Sequence, residues 1–258
     1  MKLLIDLGNT RLKCALWDGS TLRFIGALPH VGDDIQMDFD TLWKNIGPVS
    51  AILIASVASA VVGDQVARKA FERFGVQAAF VLSPATACGV RNAYAEPDRL
   101  GVDRFLGLVA LHAIESGPSV LVSCGTALTL DALAADGSHL GGLIAPSPPL
   151  MRDALTGATA RLSTPQAARV VERADNTGDA IESGVWLAGA ALLERFVAHA
   201  TTTFGSAPSV VLTGGGAARL AALIEPAHRI DAELVLRGLA IYAASRPADV
   251  RPVATGVT

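Results

Sequence analysis

The stretch Met1-Lys2-Leu3-Leu4-Ile5-Asp6-Leu7-Gly8-Asn9-Thr10-Arg11-Leu12-Lys13-Cys14-Ala15-Leu16-Trp17 sets the reading of the whole chain. Two short apolar runs flank Gly8-Asn9, which predicts a β-hairpin whose tight turn uses the tolerance of both residues for positive φ. Such a turn presents backbone N–H groups, the Thr10 hydroxyl and, at the strand end, the Asp6 carboxylate. That set suits a phosphate held by amides, with Mg²⁺ bridging its oxygens to the carboxylate. An ordinary hairpin with one solvated Asp has the same sequence, so this stretch alone leaves both readings open.

A second copy favours the phosphate reading. Val120-Leu121-Val122-Ser123-Cys124-Gly125-Thr126-Ala127-Leu128-Thr129-Leu130-Asp131 again runs strand, glycine turn, strand. The echo extends downstream, because Asp18-Gly19 and Asp136-Gly137 each precede a third strand, from Thr21 and from about Leu140. Two three-strand meanders opened by glycine turns predict a duplicated α/β domain with a ligand in the cleft between the halves.

The 258 residues are 51% hydrophobic and 17% charged, a composition of globular rather than disordered chains. A net charge of −3 without a basic block argues against nucleic acid as a partner. Cys14, Cys88 and Cys124 lack metal-ligand spacing and do not suggest a disulfide framework, which points to a reducing cytoplasm. The five histidines show no paired spacing and read as structural or exposed. Asp6 interrupts the apolar start too early for a secretory signal, and the run 51–62 is too short to span a bilayer, so no membrane partner is expected.

Along the first half, periodicity predicts a short helix over 39–45, a strand over 51–55, a helix over 61–74 stopped by Gly75, and a strand over 78–82. Residues 32–39 read as an acidic loop. From Val102 the apolar positions Phe105, Leu106, Val109 and Ala110 fall on one helical face, which puts Asp103 and Arg104 in its first turn. The helix dipole favours an acidic residue there, so position alone does not make Asp103 catalytic. In the second half a helix start is expected at 150–155 and an irregular stretch at 161–177. A long helix follows over 177–204, with Ile181, Val185, Ala188, Leu192 and Phe196 as its stripe. A strand at 210–212 runs into Thr213-Gly214-Gly215-Gly216, then helices over 217–224 and 231–244 and a tail from Arg246. No P-loop, GxGxxG fingerprint or GxSxG elbow is present.

Three motifs resemble the two phosphate motifs and the adenosine motif of the acetate/sugar kinase, heat-shock ATPase and actin superfamily: Asp6-x-Gly8-Asn9-Thr10, Gly125-Thr126-Ala127 and Thr213-Gly214-Gly215. More specifically, Tyr94-x-x-Pro97-x-x-Leu100-Gly101-x-Asp103-Arg104 resembles the signature of type III pantothenate kinase, the group that includes proteins named Bvg accessory factor. Gly141-Gly142, Ala160-Arg161-Leu162 and Asn176-Thr177 fall in the order this family shows.

The resemblance implies two ribonuclease-H-like (actin-like ATPase) α/β domains, 1–117 and 118–258, and ATP-dependent phosphorylation of pantothenate, the first step toward coenzyme A. It implies that Asp6, Leu7, Gly8, Asn9, Thr10, Arg11, Leu12 and Lys13 hold ATP phosphates, with Mg²⁺ on Asp6, and that Gly125 and Thr126 form a second phosphate turn. Asp103 would act as base toward the pantothenate hydroxyl. Tyr94, Gly101, Val102, Asp103 and Arg104 would line the pantothenate pocket, and Thr177 would reach it from the neighbouring subunit of a homodimer. Ser123 stands where the family usually carries an Asp that helps bind activating K⁺ or NH₄⁺. A neutral hydroxyl is a poorer cation anchor, so a weak monovalent-ion response is expected. A kinase of another small hydroxylated acceptor, or a non-catalytic accessory protein acting through protein contacts, are the rival readings.

Overall fold

In a computed structural model, which describes residues 1–30, 38–158 and 168–245, the apolar runs form two five-stranded sheets built to one plan. In the first, β1 (Lys2–Leu7), β2 (Arg11–Trp17) and β3 (Leu22–Pro29) make an antiparallel meander. After α1 (Phe39–Trp43), strand β4 (Ala51–Ser56) pairs parallel with β1. Helix α2 (Ala60–Phe74) then leads to β5 (Ala78–Val81), parallel to β4. The Ser59 hydroxyl caps α2 by accepting from Val62 N–H, and Gly75 ends it at φ 69°, the left-handed geometry glycine adopts freely. Its buried face, Val62, Val66 and Ala70, packs into one core with Leu3, Ile5, Leu12 and Trp43. A small ribbon, β6 (Thr86–Ala87) and β7 (Val90–Arg91), and a 3₁₀ turn at Pro97–Arg99 then lead into α3 (Val102–Ile114).

The second sheet repeats the plan. Strands β8 (Ser119–Cys124), β9 (Ala127–Leu133) and β10 (His139–Pro146) form its meander. Helices α4 (Pro148–Gly157) and α5 (Thr177–Phe204) precede β11 (Ser209–Thr213), and α6 (Ala217–Ala221) precedes β12 (His228–Ile230). The two strand orders, β3-β2-β1-β4-β5 and β10-β9-β8-β11-β12, correspond position by position. Helix α7 (Leu234–Ser245) closes the described chain.

The chain divides into one unit of Met1–Ile114, Asp136–Ser138 and the stretch from Glu233, and another of Glu115–Ala135 and His139–Ala232. These differ from the contiguous halves 1–117 and 118–258 in one element above all. Helix α7 packs against α3, where Gly238 sits so close to the Leu106 carbonyl that no side chain would fit. Its apolar face, buried at Leu234, Leu236 and Leu239, is spent on the first unit, a choice that periodicity cannot express.

Four local expectations need correction. Neither Gly8 nor Asn9 has a left-handed φ, so the first turn does not rest on positive φ. Gly8 N–H instead donates to Arg11 O at 3.0 Å, leaving Asn9 and Thr10 at the tip. The buried face of α5 runs through Val185, Trp186, Gly189, Leu193 and Val197 rather than through Ala188, which is exposed. So much of this helix is apolar or small that period alone cannot choose its face; Gly189 is set by Pro148, Leu128 and Leu220, all close to where its Cβ would be. Helices α6 and α7 are shorter than expected, and β12 lies between them. Ala160-Arg161-Leu162, most of the acidic loop from Gly32, and the tail from Arg246 lie outside the described residues. No described helix is long and apolar enough to cross a membrane.

Candidate active site

Asp6 is the penultimate residue of β1, with Lys13 opposite it on β2 and Ala55 on β4. Burial pushes its carboxyl up to about 6; Lys13 opposes that shift and the charge of Asp103 adds to it. Asp6 and Asp103, far apart in sequence, therefore share one electrostatic environment within the first unit. Two like charges held this way favour a cation or a proton. Among the described residues no group of three or more His, Cys, Asp or Glu could cage a metal. Mg²⁺ on phosphate needs only one or two carboxylates, so Asp6 fits Mg²⁺ carried in with a nucleotide. Asn9, Thr10 and Arg11 are exposed at the tip, whereas Leu7 and Leu12 have 0% exposure. The last two belong to the core by their side chains and can offer a ligand only backbone.

Asp103 opens α3, and the Arg104 backbone N–H donates to its Oδ1 at 2.8 Å. A Cβ at Gly101 would lie 2.7 Å from that oxygen, so glycine leaves room for the carboxylate. Arg104 is buried, 4% exposed, and its Nη1 donates to the Tyr94 hydroxyl at 3.0 Å, with the guanidinium 5.8 Å from the ring centroid. Val102 beside it is buried too.

Two residues without a motif hold this constellation. The Asn92 side chain accepts from Tyr94 N–H at 3.0 Å and donates to Pro97 O at 2.9 Å. The buried Ser83 hydroxyl donates to Leu100 O at 2.7 Å. His30, also missed, lies beside the first turn: its Nε2 is 2.7 Å from Gly8 O and its backbone N–H donates to Thr10 O at 3.0 Å. A spacing rule could not find these residues, because each acts on backbone brought near by the fold.

In the second unit Gly125 and Thr126 are exposed at the β8–β9 turn. Cys124 O accepts from Gly216 N–H at 2.9 Å, and Gly214, at φ 93°, leaves no space for a Cβ against the Cys124 backbone. The two glycine segments of this unit thus abut at Cys124, whose thiol burial pushes up to about 11. Ser123 pairs in register with Thr129 on one side and Thr213 on the other. The buried Thr129 hydroxyl has no hydrogen-bond partner among the described residues. This is a row of neutral oxygens without a carboxylate.

Thr177 is the exposed first residue of α5, behind its N-cap Asn176. It lines an open cavity of about 640 Å³ with Asn176, Ile181, Gly184 and Leu155. Asp179, in the same turn, accepts from Arg169 N–H and Asn176, which holds its carboxyl below the usual range and ties 169 to the helix start.

A family model described as type III pantothenate kinase matches residues 2–199. A type III pantothenate kinase of Xanthomonas campestris pv. campestris is 41% identical over 241 residues, covering 93% of this chain and 96% of that one. One from Nitrosococcus oceani is 35% identical over 246 residues, 93% and 92% of the two chains. Among solved structures, the activator of 2-hydroxyisocaproyl-CoA dehydratase from Clostridium difficile, with bound ADPNP, aligns at TM-score 0.51. It is 11% identical and covers 94% of each chain, a likeness of fold alone.

Proposed function

The chain belongs to the type III pantothenate kinase family, and from that premise we propose how its own residues carry out the family's reaction. That reaction is ATP-dependent phosphorylation of pantothenate, in coenzyme A biosynthesis.

Phosphoryl transfer passes through a loose transition state in which the protein mainly positions groups and neutralises charge. The turn from Asp6 to Lys13 holds ATP phosphates through backbone N–H groups and Lys13, and Asp6 is the protein's ligand to Mg²⁺. When bound, Mg²⁺ neutralises charge on the phosphate oxygens. Gly125 and Thr126 form the second unit's phosphate turn. Asp103 accepts the proton of the pantothenate hydroxyl, and a weak base suffices because that proton leaves late. Gly101 and Val102 shape the pocket beside it, and Tyr94 fixes Arg104 as a cation for the pantothenate carboxylate. The observation that carries this division is the placement in one unit of Asp6 opposite Lys13 at the first turn and of Asp103 in the first turn of α3 beside the Arg104–Tyr94 pair. Purified protein with MgATP should convert pantothenate into 4′-phosphopantothenate; no product across sodium, potassium and ammonium salts would overturn the assignment.

The working form is a homodimer of the cytoplasm, with Thr177 serving the neighbouring subunit's site. Leu150 and Leu155, exposed on α4, the latter lining the cavity with Thr177, support a covered face on the second unit. Three free cysteines suit a reducing compartment. A monomer by sedimentation at assay concentration would remove the dimer.

A further inference from the structure

We propose that His30 is a positioning residue for MgATP, acting through the peptide planes of the Gly8–Thr10 turn and without touching the substrate. The inference rests on the reading of that turn as a phosphate site.

The imidazole is more than nine-tenths buried at the end of β3. A carbonyl oxygen cannot donate, so the 2.7 Å contact with Gly8 O requires the proton on Nε2. Nδ1 is buried with no hydrogen-bond partner among the described residues. Among the described residues the ring's one hydrogen bond is therefore directed at one turn carbonyl. The backbone N–H of the same residue takes a second, Thr10 O, at 3.0 Å.

In a trans peptide the C=O and the following N–H point to opposite sides. Fixing Gly8 O toward His30 therefore turns the Asn9 N–H away from the ring, and fixing Thr10 O does the same for Arg11 N–H. Gly8 has the greatest freedom of any residue in the turn to rotate its plane, so the side-chain bond acts where the backbone is softest. An amide donor oriented before the ligand arrives binds without the cost of ordering it then.

The experiment compares two variants that both keep the backbone bond to Thr10. His30→Gln carries an amide N–H close to the position of Nε2; His30→Met fills similar volume with no donor. His30→Met should raise both the KM and the calorimetric Kd for MgATP about 5–10-fold, the worth of one ordinary hydrogen bond. KM for pantothenate should stay within about twofold, since uniform damage would move both substrates. His30→Gln should recover most of the MgATP affinity. Equal MgATP affinity in wild type and His30→Met, equal loss in both variants, or parallel loss for both substrates would overturn the proposal. A wild type that binds MgATP in this His30-dependent way but does not phosphorylate pantothenate would overturn the kinase assignment and leave the clamp standing. A wild type that does not bind MgATP removes both.

Discussion

In the first sheet the last two register pairs before the turn are Asp6↔Lys13 and Leu7↔Leu12; in the second they are Ser123↔Thr129 and Cys124↔Leu128. On the other flank, Ala55 stands beside Asp6 and Thr213 beside Ser123. The backbone device is the same in both, a hairpin at the edge of a parallel pair. In each, a turn carbonyl is held from a neighbouring segment, Gly8 O by His30 and Cys124 O by Gly216. The side chains have diverged: one copy keeps an anion–cation pair, the other a row of hydroxyls. A carboxylate beside a phosphate helps only with a cation between them, whereas a hydroxyl can donate directly. One scaffold, used twice, thus carries two kinds of side chain, and formal charge is concentrated in the copy whose Asp6 also feels the charge of Asp103.

The largest test of that asymmetry is Asp103→Asn, which keeps size but removes the base. Turnover should fall by on the order of 10²–10⁴ with folding intact, while Ser123→Ala changes it by no more than about threefold. Comparable losses in the two variants would erase the distinction between the units.

Next in size is the pH response of Asp6. Burial pushes its carboxyl up to about 6, above the ordinary 3.8, so if Asp6 ligates Mg²⁺ as proposed, proton and Mg²⁺ compete at the acid end of the working range. Apparent Mg²⁺ affinity in the presence of ATP should fall about tenfold per pH unit below that point and level off above it. Asp6→Asn should reduce the dependence to that of MgATP in solution, whose terminal phosphate titrates in the same range. The same shift has an opposite sign for stability. The folded state binds this proton more tightly than the unfolded chain, so ionising Asp6 costs stability as pH rises from about 4 through 6. Asp6→Asn should therefore melt higher than wild type at pH 7, and a lower melting temperature there would contradict the assigned burial.

The smallest effect concerns the hydroxyl row. Activity of the wild type should respond weakly to K⁺ or NH₄⁺ over Na⁺, and Ser123→Asp should strengthen the response. Thallium-205 resonance, which reads occupancy without turnover, should broaden on the variant and not on the wild type. A strong wild-type response would mean that neutral oxygens suffice.

The parts of this molecule readable from sequence are those whose cause is local. Alternating apolar runs broken at Gly8, Asp18-Gly19, Gly125 and Asp136-Gly137 gave both meanders, because strand period and turn chemistry act over a few residues. Gly75 marked the end of α2 for the same reason. Asp103 was singled out by the resemblance of the stretch from Tyr94 to Arg104 to a family signature, since its place in a first helical turn is equally well explained by the helix dipole.

Sequence by itself therefore determined the duplicated α/β plan, the family and the charged residues at the first turn. Only the tertiary structure decided that α7 packs with the first unit, which face of α5 is buried, and that His30 holds the first turn and Ser83 and Asn92 the segment before α3. These decisions depend on which surfaces meet across long stretches of chain. A helix with apolar residues on most sides can bury any of them, and a histidine one residue past a strand reveals nothing until register places it beside Gly8. Burial and register belong to the assembled fold, and Asp6 shows the consequence: its carboxyl is raised by the packing around it and by a charge ninety-seven positions away.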